Sequence, residues 1–370
     1  MISACQRYSR MFFTVCCTLL VIGMIFVYSA SSVYALDHCG SAHYYLVRHM
    51  YGIVLGCIAA CIMRFMPLAC IRWMVPSAFF GSCIMTALTL IPTYALHVHG
   101  SSRWLKLYDF SFQPSELLKY TFILYCAHIL AKTHGNITWR RYAQFLLLLA
   151  VVDVILLAQP DFGLAVTLSS AVALMLFIAG ARIAYLLTTL CACIPLLIAL
   201  IAYKPYRVQR IMTFLNPWSD PQGAGFQVIQ SLIAIGSGGW YGVGIGNSKQ
   251  KFFYLPMQHT DFIFSIIAEE VGFIGVMILI LLFILVLYSG LKIAYTLKDP
   301  FSHYTVLGFV LLVTLQALIN IAVATGMAPT KGIGLPFISY GNTALVCTIG
   351  MLGLIARMVR SDYSQQNYSL

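Results

Sequence analysis

The sequence predicts an all-α integral membrane protein of about ten transmembrane helices, a single polytopic domain over residues 1–370 with one long outward loop. Three observations predict it. Hydrophobic residues make up 61% of the chain and charged residues 9%, against about 25% charged in a soluble domain, so a water-facing surface could not be coated. The apolar residues gather in runs close to the roughly 20 residues that a helix needs to cross a bilayer. The lysines and arginines fall between those runs, where they set orientation.

The runs lie at about 11–36, 47–66, 74–96, 116–131, 143–158, 162–180, 183–203, 262–289, 304–326 and 339–357. The first follows Arg7 and Arg10, as a signal peptide would, but it is too long, lacks a small-residue cleavage site and leads into further spans. It reads as a retained first helix. Only Gln159-Pro160-Asp161 separates the fifth run from the sixth. A tight turn fits there, because Pro160 cannot continue a helix and Asp161 can cap the next one. One long broken helix would reduce the count to nine. Residues 204–261 contain no full span and form the long non-cytoplasmic loop, with a short interfacial helix expected over 225–236. A loop of that length is usually functional.

With the N-terminus cytoplasmic, Arg7, Arg10, Arg64, Arg72, Lys132, Arg140, Arg141, Arg182, Lys292, Lys298, Arg357 and Arg360 fall inside, in short segments nearly free of acid. An even number of spans returns the C-terminus to the same side. The outward segments keep the other cations, clustered at 103–119, 204–210 and 249–251. They also hold Asp37, Asp109, Glu116, Asp161, Asp220, Asp261, Glu269 and Glu270, eight of the eleven acids. Charge concentrated on one face reads as a polar site at the outer membrane boundary. The net charge of +11 does not indicate nucleic acid. The basic residues are scattered among apolar runs, where topology and attraction to anionic lipid account for them. The twelve cysteines lie mostly inside apolar runs and read as small apolar residues. His97 and His99 lack a third ligand nearby, and no segment offers a metal-ligand set.

Five constellations could carry chemistry, each beside a plainer reading. In the first, Arg103-Trp104 precedes Gln113-Pro114-Ser115-Glu116 and Lys119. Pro114 suits the first turn of a helix, and Glu116 and Lys119, three apart, share its face. The alternative is a capped helix with an interfacial tryptophan. In the second, Lys204, Arg207 and Arg210 recur at a spacing of three and could hold phosphate; the alternative is snorkelling at a membrane edge. In the third, glycines from Gly236 to Gly246 allow close backbone approach to a ligand, followed by Lys249 and Lys251, but no phosphate-binding fingerprint is present. In the fourth, His259-Thr260-Asp261-Phe262 opens a span that continues to Glu269-Glu270. Burial would raise the Asp261 pKa toward that of a useful base; the alternative is a helix cap. In the fifth, Pro329-Thr330-Lys331-Gly332 and Leu335-Pro336-Phe337-Ile338-Ser339-Tyr340-Gly341 read as a rigid loop that dips toward the bundle, with Lys331 its only charge. Asp153, inside a span, is either functional or an interhelical hydrogen-bond partner.

These segments resemble the SEDS family of shape, elongation, division and sporulation proteins. The likeness rests on RW with FQPSELLK at 103–119, QPDFG at 159–163, FLNPWSDPQGAGFQVIQSLIAIGSGG at 214–239, GVGIGNSKQKFFYLP at 242–256, HTDFIFSIIAEEVGFIG at 259–275 and PTKGIGLPFISYG at 329–341. The NPW and GNSKQK segments are similar to the FtsW branch more than to RodA, with SpoVE-like members close by. Two departures stand out. Met257 follows Pro256 where the family usually carries an acid, and Asn342-Thr343-Ala344 follows Gly341 where it usually reads GSS.

The resemblance implies a ten-span peptidoglycan glycosyltransferase. It would polymerise lipid II into glycan strands on the outer face of the cytoplasmic (inner) membrane, at the division septum, with both termini cytoplasmic. Its implied partners are a class B penicillin-binding protein that supplies the transpeptidase, and other divisome membrane proteins. The family's essential aspartate falls on Asp261, which would take the proton from the acceptor hydroxyl. Arg103, Glu116 and Lys119 fall on positions of family interest. With Arg207, Arg210, Lys249, Lys251 and Lys331 they are the candidates for holding the substrate's diphosphate. A divalent cation, magnesium or manganese, could assist. Two other classes remain open: a lipid II flippase, which should carry cations through the membrane depth, and a non-enzymatic divisome scaffold, which would not need the Asp261 carboxylate.

Overall fold

The computed structural model describes residues 4–368 apart from 94, 99–100, 108–109, 134–136, 204, 224 and 253–257. For about two dozen further residues, among them Arg207 and Arg210, it describes the backbone alone. Ten helices stand at the ten apolar runs: α1 (Ala4–Cys39), α2 (Tyr44–Phe65), α3 (Leu68–Leu88), α4 (Pro114–Ala131), α5 (Trp139–Ala158), α6 (Phe162–Ile178), α7 (Ile183–Ala202), α10 (Ile263–Thr296), α11 (Pro300–Ala324) and α12 (Asn342–Tyr368). Among the described residues, seven of the helices are long and apolar enough to cross a membrane; α6, at 17 residues, and part of α7 are shorter apolar segments. The chain is a multi-pass membrane protein. Two extra helices, α8 (Pro205–Leu215) and α9 (Phe226–Ser237), occupy the long loop, joined through a 3₁₀ turn at Pro217–Ser219.

The core runs through the bundle, with α11 at its centre: Val306, Leu307, Phe309, Val310, Leu312 and Val313 are wholly buried. Lipid-facing helices expose large apolar side chains instead, such as Leu55, Ile58 and Ile62 on α2 and Ile84 on α3. That is the expected arrangement where lipid is the solvent. Helices α2 and α12 approach closely because small residues face each other. A Cβ on Gly353 would sit 2.1 Å from the Ala60 carbonyl oxygen, and one on Gly56 would sit 2.9 Å from Ile349. Small residues that let backbones meet are the usual device of membrane helix packing.

Three features depart from the sequence expectations. The third span ends at Leu88, not 96, since Pro92 disfavours helix at Ile91. A three-stranded antiparallel sheet follows instead of loop: β1 (Ala95–Val98), β2 (Ser101–Leu107) and β3 (Phe110–Phe112), in the order β1-β2-β3. Third, α10 is not one continuous span. Gly272 takes φ 68° and ψ −169°, which breaks the helix. The stretch from Gly239 to Gly244 fills the break. The amides of Val243 and Gly244 donate to the carbonyls of Glu269 and Glu270, and those of Phe273 and Ile274 donate to Gly239 and Trp240. The expected helix at 225–236 is α9, and it packs against the bundle, with Val228, Ile229, Ser231 and Ala234 buried. Ser231 hydrogen-bonds Ser265 of α10 (2.5 Å) and the Ala324 carbonyl of α11 (2.6 Å).

Candidate active site

Asp261 lies in the turn that leads into α10. It is not a cap: α10 begins after Phe262 with no capping side chain. Its backbone is pinned. Asn320 on α11 donates from its amide to the carbonyls of both Asp261 (2.8 Å) and Ile333 (2.7 Å). Ser339 donates to the Thr260 carbonyl (2.6 Å), and the Tyr340 amide to that of His259 (3.0 Å). The turn and the 329–341 loop are thereby stitched together. The loop dips into the bundle as expected, with Leu335, Phe337 and Ile338 buried. Gly23 of α1 leaves room for it, since a Cβ there would sit 2.5 Å from the Phe337 carbonyl.

Arg103 approaches from the sheet. Ser102 and Trp104 of β2 pair with the adjacent residues His97 and Leu96 of β1, so Arg103 is the extra residue of a bulge. Bulges re-aim side chains and recur beside active sites. The guanidinium donates to the carbonyls of Gln159 (3.4 Å) and Pro160 (2.5 Å) and lies 3.7 Å from the Asp161 carboxylate. The turn holding these acceptors is the one expected between the fifth and sixth spans, and Asp161 caps α6 by accepting from the Leu164 amide. The buried Gln159 side chain anchors it to α3 by donating to the Thr86 carbonyl (2.7 Å) and to the Thr89 hydroxyl.

Gly332 separates the acid from the cation: a Cβ there would lie 3.2 Å from Asp261 Oδ2 and 3.7 Å from Arg103 Nη1. Burial pushes the Asp261 carboxyl up to about 7; Arg103 opposes that rise and Asp161 adds to it. Burial also raises Asp161, against the pull of Arg103. Lys331 stands on the same loop with its ammonium 4.7 Å from the centre of the Phe162 ring, and burial lowers its pKa. No carboxylate lies within ion-pair distance of Lys331 among the described residues. A half-buried cation without a counter-charge favours an anionic ligand.

Other predicted residues are placed differently. Glu116 and Lys119 form an ion pair on one face of α4 (2.5 Å), with Lys119 fully buried. The Lys119 ammonium donates to Gln316 (3.1 Å), whose own amide donates to the Gly334 carbonyl (2.9 Å). This pair therefore supports the 329–341 loop through Gln316. Lys251 is likewise buried, with its ammonium on the Gly246 carbonyl and 3.9 Å from Glu270. Lys249 is exposed while its backbone amide donates to Glu269 (2.9 Å). Arg207 and Arg210 fall on α8, and their side chains lie outside the described residues, as does Met257. Asp153 accepts a hydrogen bond from Ser169 (2.8 Å), the interhelical reading. The glycine-rich stretch serves backbone packing at the α10 break. Among the described residues no three His, Cys, Asp or Glu side chains converge to hold a metal.

Sequence reasoning missed Gln316 and Asn320, and it gave the side chains of Gln159 and Ser339 no role of their own. Gln316 and Asn320 carried a signal: two amides four apart share a face of an otherwise apolar span.

A polytopic helical membrane protein with an acid and two cations gathered at one end of its bundle is the class that fold and site define. The chain belongs to the family of cell cycle proteins that comprises FtsW, RodA and SpoVE, whose family model matches residues 9–364. A probable peptidoglycan glycosyltransferase FtsW from Trichlorobacter lovleyi is 40% identical, over 90% of this chain and 88% of that protein. Stage V sporulation protein E of Bacillus subtilis is 37% identical, over 92% and 94%. Among solved structures, a chain of a peptidoglycan synthase complex that coordinates polymerization and crosslinking superposes with a TM-score of 0.78 at 30% identity, covering 95% of this chain and 97% of that one. The rod shape determining protein RodA of Thermus thermophilus superposes at 0.71 with 26% identity, covering 95% and 96%.

Proposed function

We propose that the protein is a peptidoglycan glycosyltransferase of septal wall synthesis that polymerises lipid II at the outer face of the cytoplasmic membrane. The observation that carries the chemistry is Asp261, a half-buried carboxyl with a pKa near 7, facing Arg103 across the gap at Gly332 with Lys331 on the adjoining loop. A general base works best when its pKa lies near the working pH.

In this reading the growing strand, linked to undecaprenyl diphosphate, is the donor. The acceptor is the 4-hydroxyl of the terminal GlcNAc of lipid II. Asp261 accepts the hydroxyl proton while the oxygen attacks the anomeric carbon from the face opposite the diphosphate. The diphosphate departs with the bonding electron pair and the configuration inverts. The leaving group is already anionic, so it needs fixed positive charge rather than an acid. Arg103 and Lys331 supply it, held in place beforehand; Lys249, Arg207 and Arg210 are the further candidates along the long loop. Glu116, Lys119 and Lys251 keep the surrounding loops in position. A magnesium or manganese ion could share the diphosphate, which comparing turnover with either ion and with chelator would decide. The expected partners are a class B penicillin-binding protein and other divisome proteins, with both termini cytoplasmic. Support for the first comes from the similar chain in a synthase complex.

The test is lipid II polymerisation by the purified protein with its transpeptidase partner, wild type against Asp261→Asn. Strands from wild type alone support the transferase. Equal product from both removes Asp261 from the mechanism. No product from either, with division intact in cells carrying the variant, favours the scaffold.

A further inference from the structure

Beside Asp261 stands a cage of rings that the transfer described above does not use. His259, two residues earlier, is buried, and three elements meet its ring. Between ring centres, Tyr45 of α2 lies 4.5 Å away and Tyr34 of α1 5.7 Å. Tyr340, at the end of the 329–341 loop, lies 5.8 Å away in an edge contact. The cage also closes on itself, with Tyr45 5.1 Å from Tyr340, edge-on, and 6.1 Å from Tyr34. Such separations and edge contacts are those that aromatic rings favour.

An imidazole so near a carboxyl suggests proton transfer, but its surroundings argue against that. Its Nδ1 is buried and meets no hydrogen-bond partner among the described residues. Burial holds its pKa down to about 4, so the ring stays neutral at the pH where Asp261 would act. Its role is better sought in packing. The carbonyls of His259, Thr260 and Asp261 accept from Tyr340, Ser339 and Asn320, all on α11 or the segment after it. The cage adds α1 and α2, which carry none of those donors.

We infer that His259 and Tyr45 are positioning residues, whose rings, packed with Tyr34 and Tyr340, fix the turn so that Asp261 stays buried and facing Arg103. The inference rests on the reading of Asp261 as the base. A turn released from the cage would admit water to Asp261. Its carboxyl would then return toward the ordinary range, and its oxygen would drift from the acceptor hydroxyl.

The test reads the Asp261 carboxyl directly. An apolar carbodiimide labels protonated carboxyls, and fragment masses locate the adduct on Asp261. The full chain in nanodiscs is labelled from pH 4 to 9. Wild type should lose labelling around pH 7. His259→Ala and Tyr45→Ala should lose it at lower pH and polymerise lipid II slower by about tenfold or more, in kcat rather than KM. His259→Phe and Tyr45→Phe, which keep the rings, should restore both the midpoint and the rate. Tyr28→Ala removes a ring that stacks on His43 instead and should leave the midpoint in place. These variants retain the charged groups nearby: Arg103 and Asp161 beside Asp261, and Arg48, which meets the Tyr340 hydroxyl. Unshifted midpoints in both alanine variants would overturn the inference. So would a His259→Phe variant as inactive as His259→Ala, since the imidazole nitrogens would then be needed. Labelling needs no turnover, so shifted midpoints in a chain that makes no strands would sink the transferase reading and leave the cage's hold on Asp261 standing.

Discussion

At the residue scale the site turns on one raised carboxyl. With the Asp261 pKa near 7, the base form grows as pH climbs from 6 to 8. Polymerisation should rise over that interval and level off above it, read from initial rates of strand formation. Arg103 holds the carboxyl down, so Arg103→Ala should move the midpoint of the pH profile upward and lower the rate at neutral pH by at least tenfold. The same burial has a stability consequence. A carboxyl raised above its unfolded value binds its proton more tightly in the folded chain, so stability falls as pH rises from about 4 past 7. Asp261→Asn should abolish polymerisation, yet melt no lower than wild type at pH 8. Asp261, Arg103 and Lys331 were legible as types and positions. That Lys119 and Lys251 are buried and paired was not, because a cation three residues from an acid looks the same in sequence whether solvent or protein surrounds it.

At the scale of elements, the strongest coupling joins the α10 break to the glycine-rich loop. Gly242 holds φ 80°, and a Cβ there would sit 2.2 Å from the Glu270 carbonyl oxygen. Left-handed backbone with no room for a side chain admits glycine alone. Gly242→Ala should cost about 2–4 kcal/mol from strain and overpacking together, seen as a lower melting temperature in detergent. Glu269→Gln should free the 246–251 loop by weakening charge-assisted hydrogen bonds worth about 1.5–3 kcal/mol each. The expected readout is faster proteolysis within that loop while the helices stay intact. The glycines were visible in the sequence as a call for close backbone approach. Their partner was not, since the break at Gly272 lies about thirty residues onward within a run whose composition reads as one span. The sheet was missed for a related reason. Two short connections separate its strands, but its first strand continues an apolar run.

At the scale of the whole molecule, α11 fills the centre and α12 closes against α2. Gly353→Leu should force these two helices apart, because a Cβ already meets the Ala60 carbonyl at 2.1 Å. The prediction is a large loss of folded protein by fluorescence-detected size exclusion, with Gly81→Leu harmless because a Cβ there meets nothing within 4 Å. The sequence by itself determined the solvent, the apolar runs that become helices, the turn at 159–161 and the helix start at Pro114. Each follows from composition, run length or local backbone chemistry, which act over a few residues. Only the tertiary structure decided which charges meet. It brings residues 103, 161, 261 and 331 to one end of the bundle and buries 119 and 251 against partners. Such pairings depend on which helix faces pack, and in a chain of uniformly apolar spans nearly every face looks alike until small residues and lone amides select its neighbour.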